Sequence, residues 1–303
     1  MIELSNGLKV SDMCFGSGIV CGHDWHDKAA CIREMKYWAN MLFSNREQLR
    51  REVALPYAIK SSIKNGICMF DTSRAYSDSE YVLGRVLCKY PRNKFQVITK
   101  CSNDYQYKGT SGVRASFEHS ARALKLDFID VYLMHWPVPD HFLENWKEME
   151  KLYEEGLCGA IGVCNCNIHH LQDIEKTANI PPMINQIECH PLFTQNELRS
   201  YCNEHKIQVM AYTATARSDS RLRSTVVRRI AEKYEKTITQ VVLKWHQQIG
   251  NIPIVNSSKI SHIVENSILD DFELTEREIQ EITAVNINSR LRFDPENVDY
   301  TQM

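Results

Sequence analysis

Four residues with complementary acid–base chemistry, Asp71, Tyr76, Lys100 and His135, lie at or just beyond the ends of apolar, β-branched segments. A carboxylate, a phenol, an ammonium and an imidazole that converge on one place form a proton-transfer site. A phenol alone is a poor acid near neutral pH, because its pKa is about 10. We expect Lys100 to lower the pKa of Tyr76 and Asp71 to keep Lys100 charged and oriented. His135 is then placed to donate to a carbonyl oxygen.

Taken singly, each of these residues has a purely structural explanation. Asp71 suits a turn or a helix cap, Lys100 a solvated surface, Tyr76 a packing position and His135 a core position. Their placement at three successive strand ends favours the chemical interpretation for the whole set.

The elements that must position these residues alternate regularly between strand and helix. Apolar segments predict eight strands, at 13–18, 68–70, 95–99, 128–134, 160–163, 183–187, 207–212 and 252–255. Apolar periodicity predicts helices at about 80–89, 113–124, 142–153, 168–178, 195–205, 222–235 and 239–249, with more helix after the last strand. This alternation implies a parallel sheet, and eight strands suffice to close a (β/α)8 TIM barrel. The strand ends then share one rim, where such barrels carry their chemistry.

Two further features complete the predicted architecture. Asn6-Gly7 between two alternating segments predicts an N-terminal β-hairpin. Residues 21–51 carry apolar side chains at helical spacing and predict a helical insertion after the first barrel strand. A packing or dimer-contact helix is the favoured interpretation of this insertion, and a lid over the barrel mouth is the alternative. No linker or repeat divides the chain, so we expect residues 1–303 to form a single (β/α)8 barrel domain.

Composition excludes several classes of function. The 303 residues are 43% hydrophobic and 24% charged, with a formal net charge of −2. A near-neutral chain argues against a nucleic-acid partner, and the lack of a long apolar segment or a signal sequence argues against a membrane. We therefore expect a cytoplasmic protein, and the sequence leaves its oligomeric state open.

The eleven cysteines are scattered, which is typical of free thiols in a reducing compartment. Two groups contain metal-ligating residue types: Cys21, His23 and His26, and then Cys164, Cys166, His169 and His170. Neither group has the paired spacing of a structural zinc site, so no metal is predicted.

Several motifs in a fixed order resemble the aldo-keto reductase superfamily over nearly the whole chain. They are Phe-Asp-Thr-Ser-Arg-Ala-Tyr at 70–76, Ser-Glu-Tyr-Val-Leu-Gly at 79–84, Ile-Thr-Lys at 98–100, Met-His-Trp-Pro at 134–137, Gly-Val-Cys-Asn at 162–165 and Asn-Gln-Ile-Glu at 185–188. The resemblance implies an NAD(P)H-dependent oxidoreductase that reduces an aldehyde or ketone to an alcohol, with Tyr76 as general acid. The alternative is a catalytically weak, nicotinamide-binding regulatory protein on the same barrel.

The resemblance also implies the binding residues. Asn165 and Gln186 correspond to the pair that binds the nicotinamide carboxamide, and Tyr212 to the aromatic stacked on its ring. Amide side chains suit a carboxamide because they donate and accept together, although strand-end capping would also explain them. The other expected cofactor positions are Ser17, Thr213, Thr215, Asn256, Ser257, Ser258, His262, Glu265 and Asn266, and the expected substrate-pocket residues are Trp136, Ile19 and Val20.

Three departures from the family pattern bear on specificity. Asn256 and His262 stand where the family has the Lys and Arg that clamp a 2′-phosphate. Loss of both fixed cations weakens recognition of a dianion, so we expect NADH to be used at least as well as NADPH. Partial compensation by Lys259 and a protonated His262 is the alternative. Arg217, Arg221 and Arg223 follow Tyr212, and a solvated loop is favoured slightly over an anion clamp. The tail after Asn288 is short, which predicts less pocket wall from that end of the chain.

Overall fold

The computed structural model describes residues 1–18, 55–76, 78–224, 226–257 and 259–302. The predicted insertion at 21–51, the cluster of Cys21, His23 and His26, and the predicted site residues Ile19, Val20 and Ser258 lie outside the described residues.

The barrel strands are β3 (Cys14–Gly16), β4 (Met69–Asp71), β5 (Gln96–Cys101), β6 (Ile129–Met134), β7 (Cys158–Cys164), β8 (Ile184–Glu188), β9 (Gln208–Tyr212) and β10 (Ile252–Val255). These eight parallel strands form a closed barrel in the order β10-β3-β4-β5-β6-β7-β8-β9. All eight coincide with predicted strands to within about two residues at most ends. The predicted (β/α)8 fold is confirmed.

Helices surround the barrel in the described part of the chain. They are α1 (Leu55–Lys64), α2 (Ser79–Leu87), α3 (Asn103–Gln106), α4 (Gly109–Leu124), α5 (Phe142–Glu154), α6 (Ile168–Glu175), α7 (Asn196–Glu204), α8 (Val226–Lys233), α9 (Ile238–Gln248), α10 (Ile260–Asn266) and α11 (Glu276–Thr283). Short 3-10 helices occur at Arg92–Lys94, Ala216–Ser218, Ser220–Ser224 and Tyr300–Gln302. None of these helices is long and apolar enough to span a membrane.

The N-terminal hairpin pairs β1 (Ile2–Glu3) with β2 (Lys9–Val10) around the predicted Asn6-Gly7 turn. Gly7 has a φ of +85°, which a glycine adopts without strain. Asn6 Nδ2 donates to the carbonyl oxygen of Gly159 at 2.8 Å, and Gly159 lies at the start of β7. The hairpin is therefore fixed to the end of the barrel opposite the rim.

Burial on both faces explains why the barrel strands are mostly apolar rather than regularly alternating. All six residues of β6 are buried, because one face packs inside the barrel and the other packs against helices. Helix packing explains the glycine of the Ser-Glu-x-x-Leu-Gly motif. A Cβ added to Gly84 in α2 would lie 2.4 Å from the carbonyl oxygen of Ala123 in α4.

Strand register carries the three titratable residues to one rim. Asp71 is paired with Ile98, so Lys100 lies two residues further along β5. Lys100 is in turn paired with Leu133, so His135 lies two residues beyond that pair. From β4 to β5 and from β5 to the residue after β6, each titratable residue therefore lies two residues nearer the C-terminal end of the barrel than the one before it.

Candidate active site

A buried ion pair lies at the centre of the rim. Lys100 Nζ donates to Asp71 Oδ1 at 2.7 Å and to the carbonyl oxygen of Thr72 at 2.8 Å. The side chain of Lys100 is fully buried and that of Asp71 is 6% exposed. Burial alone lowers the pKa of Lys100, but its net pKa lies above its ordinary value, chiefly because of the Asp71 carboxylate, so the ammonium keeps its charge.

Tyr76 lies directly over this pair. Lys100 Nζ is 5.0 Å from the centroid of the Tyr76 ring, and the Tyr76 hydroxyl is 3.5 Å from His135 Nε2. Gly18 makes room for the ring, because a Cβ at that position would lie 2.8 Å from a carbon of Tyr76. The four predicted catalytic residues therefore form one connected group.

The pKa of Tyr76 moves in the direction opposite to the one that the sequence suggested. Burial raises the pKa of Tyr76 more than the nearby Lys100 ammonium lowers it. The expected net lowering was wrong, since the sequence showed the cation but not the loss of solvent around the phenol. A phenol with a raised pKa retains its proton at neutral pH, as a proton donor must.

His135 is held as a neutral imidazole. Its Nδ1 lies 3.2 Å from Ser73 Oγ, and its Nε2 faces the Tyr76 hydroxyl. Burial and the Lys100 ammonium lower the pKa of His135 to about 3. The ring therefore acts as a hydrogen-bond donor or acceptor rather than as a cation.

The three residues that the resemblance assigns to the nicotinamide are bonded to the same group. Gln186 Nε2 donates to Asp71 Oδ1 at 2.7 Å. Asn165 Nδ2 donates to the carbonyl oxygen of His135 at 3.0 Å, and its Oδ1 accepts from the Tyr212 hydroxyl at 2.7 Å. Asn165 has a φ of +60°, a conformation that asparagine tolerates better than most residues. The amides, the phenol of Tyr212 and the ion pair thus form one network.

The predicted dinucleotide positions at the start of the chain and after β10 have varied environments. Ser17 is fully buried, and its Oγ donates to the carbonyl oxygen of Asp71 at 2.8 Å. Asn256 Nδ2 donates to the carbonyl oxygen of Gly16, whereas Ser257 Oγ accepts from the amide of Lys259. The Ser17 hydroxyl and the Asn256 amide nitrogen therefore donate hydrogen bonds to backbone carbonyls of the protein itself, where β3 meets β4 and β10.

Helix α10 carries the remaining predicted adenosine contacts. His262 is exposed, and Glu265 Oε1 accepts from Thr237 Oγ1 at 2.8 Å. Asn266 is 5% exposed, and its buried Oδ1 has no hydrogen-bond partner among the described residues. An unpaired buried acceptor is costly and indicates a missing donor.

The loop after β9 begins with Thr213, whose φ is +53°. Arg221 pairs with Asp219 at 2.7 Å and donates to Ser289 Oγ at 2.9 Å. Arg221 therefore joins this loop to the C-terminal tail. Thr215 is partly buried beside the first 3-10 turn of the loop, and Arg217 and Arg223 are exposed.

The C-terminal tail packs against Trp136, one of the predicted substrate-pocket residues. The ring of Tyr300 meets Trp136 edge-on, with centroids 6.0 Å apart, and Val138 and Val298 complete this small cluster. Asn103 Nδ2 donates to the carbonyl oxygen of Tyr300 at 3.2 Å. The last turn of the tail therefore packs against Trp136, and the expectation of less wall than longer family tails supply stays a prediction.

Glu188 at the end of β8 anchors the tail. Its carboxylate accepts from the amides of Leu291 at 2.6 Å and Arg292 at 3.0 Å, and contacts His190 Nε2 at 3.0 Å. Sequence reasoning missed Glu188 as an anchor of the tail and Tyr300 as a contact of Trp136. Glu188 stood in a recognised motif, but nothing in that motif indicated a contact about one hundred residues away.

The second cysteine–histidine group is divided between two places. Cys164 and Cys166 are buried with the barrel, whereas ligand atoms of His169, His170 and Glu296 lie within 4.8 Å of one another. His170 Nδ1 accepts from the amide of Asn167 at 3.1 Å, so the neutral ring carries its proton on Nε2. This arrangement caps α6 and leaves that ring without a free lone pair.

A closed parallel barrel with this acid–base group at its C-terminal rim defines a β/α-barrel enzyme. The chain belongs to the aldo/keto reductase family, whose family model matches residues 39–287. Glyoxal reductase of Bacillus subtilis (strain 168) is 38% identical over 242 residues, which is 80% of this chain and 87% of that protein. The methylglyoxal reductase of Escherichia coli (strain K12) is 39% identical over 244 residues, 79% of this chain and 87% of that protein.

Solved structures agree with this family. An aldo-keto reductase from a Medee basin deep-sea metagenome library superposes with a TM-score of 0.83 at 30% identity, covering 99% of this chain and all of that one. The Bombyx mori aldo-keto reductase in complex with NADP has a TM-score of 0.79 at 27% identity, covering 97% of this chain and 95% of that one. The family resemblance read from the sequence motifs is confirmed.

Proposed function

We propose that this protein reduces small aldehydes or ketones to alcohols by hydride transfer from a nicotinamide dinucleotide, with Tyr76 as the general acid. The observation that carries the proposal is the convergence of three groups at the barrel mouth. The Tyr76 hydroxyl lies 3.5 Å from His135 Nε2, and the Lys100 ammonium lies 5.0 Å from the centroid of its ring.

Each residue has a distinct task. Tyr76 holds its proton at neutral pH and donates it to the oxygen that gains negative charge during reduction. Lys100 stabilises the phenolate that remains, and Asp71 holds Lys100 in place. His135, as a neutral donor, orients the carbonyl oxygen beside Tyr76.

The residues at the rim fit a nicotinamide dinucleotide. Asn165, Gln186 and Tyr212 offer amides and a partly exposed aromatic ring around the tetrad, and the unpaired Oδ1 of Asn266 offers an acceptor for an exocyclic amine. The bound cofactor supplies the hydride, and the protein supplies placement and electrostatics.

We also propose that NADH serves at least as well as NADPH. Asn256 uses its side chain to bond Gly16, and His262 is exposed on α10. Neither is the lysine or arginine that would offer a permanent positive charge to a 2′-phosphate. A dissociation constant for NADPH much lower than that for NADH contradicts this part of the proposal.

Small α-oxoaldehydes are the first substrates to test. Two bacterial relatives are named for the reduction of glyoxal and of methylglyoxal. Trp136 and Tyr300 form an apolar wall beside His135, which suits a compact carbonyl compound better than a highly charged one.

The decisive experiment titrates the protein with NADH and with NADPH, following tryptophan fluorescence. Each complex then receives glyoxal, methylglyoxal and a panel of small aldehydes, and loss of the reduced cofactor is followed by absorbance. We expect turnover in the natural protein, and cofactor binding without turnover in Tyr76→Phe. Tight binding with no turnover across the panel supports instead the regulatory, catalytically weak alternative.

A further inference from the structure

We propose that Ser73 is a positioning residue that fixes the tautomer of His135, placing the imidazole proton on Nε2. Ser73 lies in the loop between Asp71 and Tyr76 and touches neither the phenol nor the ion pair through its hydroxyl. The inference rests on the proposed function, because it concerns how His135 meets a carbonyl oxygen.

The contact is buried and specific. Ser73 is fully buried, and its Oγ lies 3.2 Å from His135 Nδ1. The amide of Ala75 donates to the same Oγ at 3.1 Å, and the amide of Tyr76 donates to the carbonyl oxygen of Ser73 at 3.0 Å. One tight turn therefore sets both the hydroxyl of Ser73 and the backbone of Tyr76.

Counting donors and acceptors assigns the direction of the hydrogen bond. A serine hydroxyl has one proton to donate, and Ser73 Oγ already accepts from Ala75. A buried hydroxyl proton is most stable on a protein acceptor, and among the hydrogen bonds of the described chain the acceptor for Ser73 is His135 Nδ1. If Nδ1 carried the proton instead, Oγ would accept twice and the hydroxyl proton would have no partner.

The tautomer of His135 determines whether its Nε2 competes with the substrate for the Tyr76 proton. With Nδ1 as acceptor, the neutral ring has its proton on Nε2, which faces the Tyr76 oxygen at 3.5 Å. The ring then donates toward the phenol oxygen or a carbonyl oxygen, and the Tyr76 proton stays available for transfer. The opposite tautomer would make Nε2 an acceptor that competes with the substrate for that proton.

The neutral state of the ring makes this choice consequential. The pKa of His135 is lowered to about 3 by burial and by Lys100, so both nitrogens are not protonated together at working pH. A single neighbour that prefers one tautomer therefore determines the hydrogen-bonding pattern at the mouth.

The test combines nitrogen-15 NMR of histidine-labelled protein with kinetics. The His135 signals are assigned by their loss in His135→Gln, and the protonated nitrogen is identified in the cofactor-free protein and in Ser73→Ala. We expect the proton on Nε2 in the natural protein, and a mixed tautomer in Ser73→Ala. Ser73→Ala should lower kcat for an aldehyde about ten-fold, the loss of roughly one hydrogen bond, with the cofactor dissociation constant unchanged.

Two matched variants separate this role from a structural one. Ser73→Thr retains the hydroxyl and should restore both the tautomer and most of kcat. Ser62→Ala removes a fully buried serine hydroxyl that has no hydrogen-bond partner among the described residues, and should change neither. A proton on Nδ1 in the natural protein, or an unchanged tautomer in Ser73→Ala, overturns the inference. Absence of turnover in the natural protein defeats the proposed function alone, because the NMR result stands without it.

Discussion

Gln186 donates from Nε2 to Oδ1 of Asp71 at 2.7 Å, the same oxygen that accepts from Lys100 Nζ. Both residues are at least 96% buried, so the bond is shielded from solvent. The residue that the family resemblance assigns to the cofactor amide is thus also a partner of the ion pair. A change at position 186 therefore acts on the ion pair as well as on the proposed cofactor contact.

Replacing Gln186 with Glu places a second carboxylate beside Asp71. Two carboxylates at hydrogen-bond distance raise the pKa of one of them, so the folded protein holds an extra proton. Stability should then fall as pH rises from 5 to 8, because the unfolded chain releases that proton more readily. Thermal unfolding across this range measures the effect. Gln186→Leu, which adds no charge, should show no such dependence, and equal pH profiles for the two variants contradict the argument.

Replacing Lys100 with Met should destabilise the protein by about 3–5 kcal/mol, because it leaves the Asp71 carboxylate buried without its cation. Denaturant unfolding at neutral pH measures the change. The double variant Lys100→Met, Asp71→Leu should recover much of that loss, although both proteins should lack turnover. A double variant no more stable than the single one shows that packing, not charge, dominates here.

Replacing Gly18 with Ala should lower kcat by roughly 10²-fold, because the added methyl displaces the reacting phenol. Its Cβ would lie 2.8 Å from a ring carbon of Tyr76. Gly18 is exposed, so the melting temperature should change little. A normal kcat in Gly18→Ala would mean that the ring of Tyr76 shifts without consequence for proton transfer.

Acid should destabilise the protein through its buried neutral histidines. Burial lowers the pKa of His246 to about 3, and its two nitrogens bond Ala214 and Asn251. In the unfolded chain His246 binds a proton near pH 6.5, whereas in the folded chain it stays neutral down to about pH 3. Stability is therefore lost as pH falls from 6.5 toward 3. Urea midpoints at several pH values measure the slope. His246→Gln should flatten it whatever its effect at neutral pH, and an unchanged slope assigns the acid sensitivity to other groups.

Tyr300→Ala should raise KM for the aldehyde and leave the cofactor dissociation constant unchanged, because it removes the ring that packs on Trp136. Steady-state kinetics with one aldehyde measures this. Tyr300→Phe is the matched control, since it keeps the ring and loses only the hydrogen bond to Pro295. Equal KM values for the Ala and Phe variants would remove Tyr300 from the pocket wall.

The sequence was sufficient for the barrel because most strand residues are buried on both faces, which leaves short apolar segments between the predicted helices. It was also sufficient to place Asp71, Lys100 and His135 on one rim, since parallel strand ends share an edge. The short helix α3 had no sequence signal, because four residues are too few to show a helical period.

Contacts between segments that are distant in the chain could not be predicted from the sequence. Nothing near Glu188 indicated that its carboxylate binds the amides of Leu291 and Arg292. The raised pKa of Tyr76 was missed for a similar reason, because burial depends on the whole fold whereas the neighbouring Lys100 was evident from a motif.

Closure of the barrel has a consequence for the order in which the chain can fold. Strand β3 pairs on one side with β4 and on the other with β10, and Asn256 donates to Gly16 across 240 residues of sequence. During synthesis from the N-terminus, one edge of β3 therefore stays unpaired until β10 has left the ribosome. An unpaired strand edge is a template for wrong partners, so the interval before β10 emerges is the stage at which nascent chains of this protein are most exposed to aggregation.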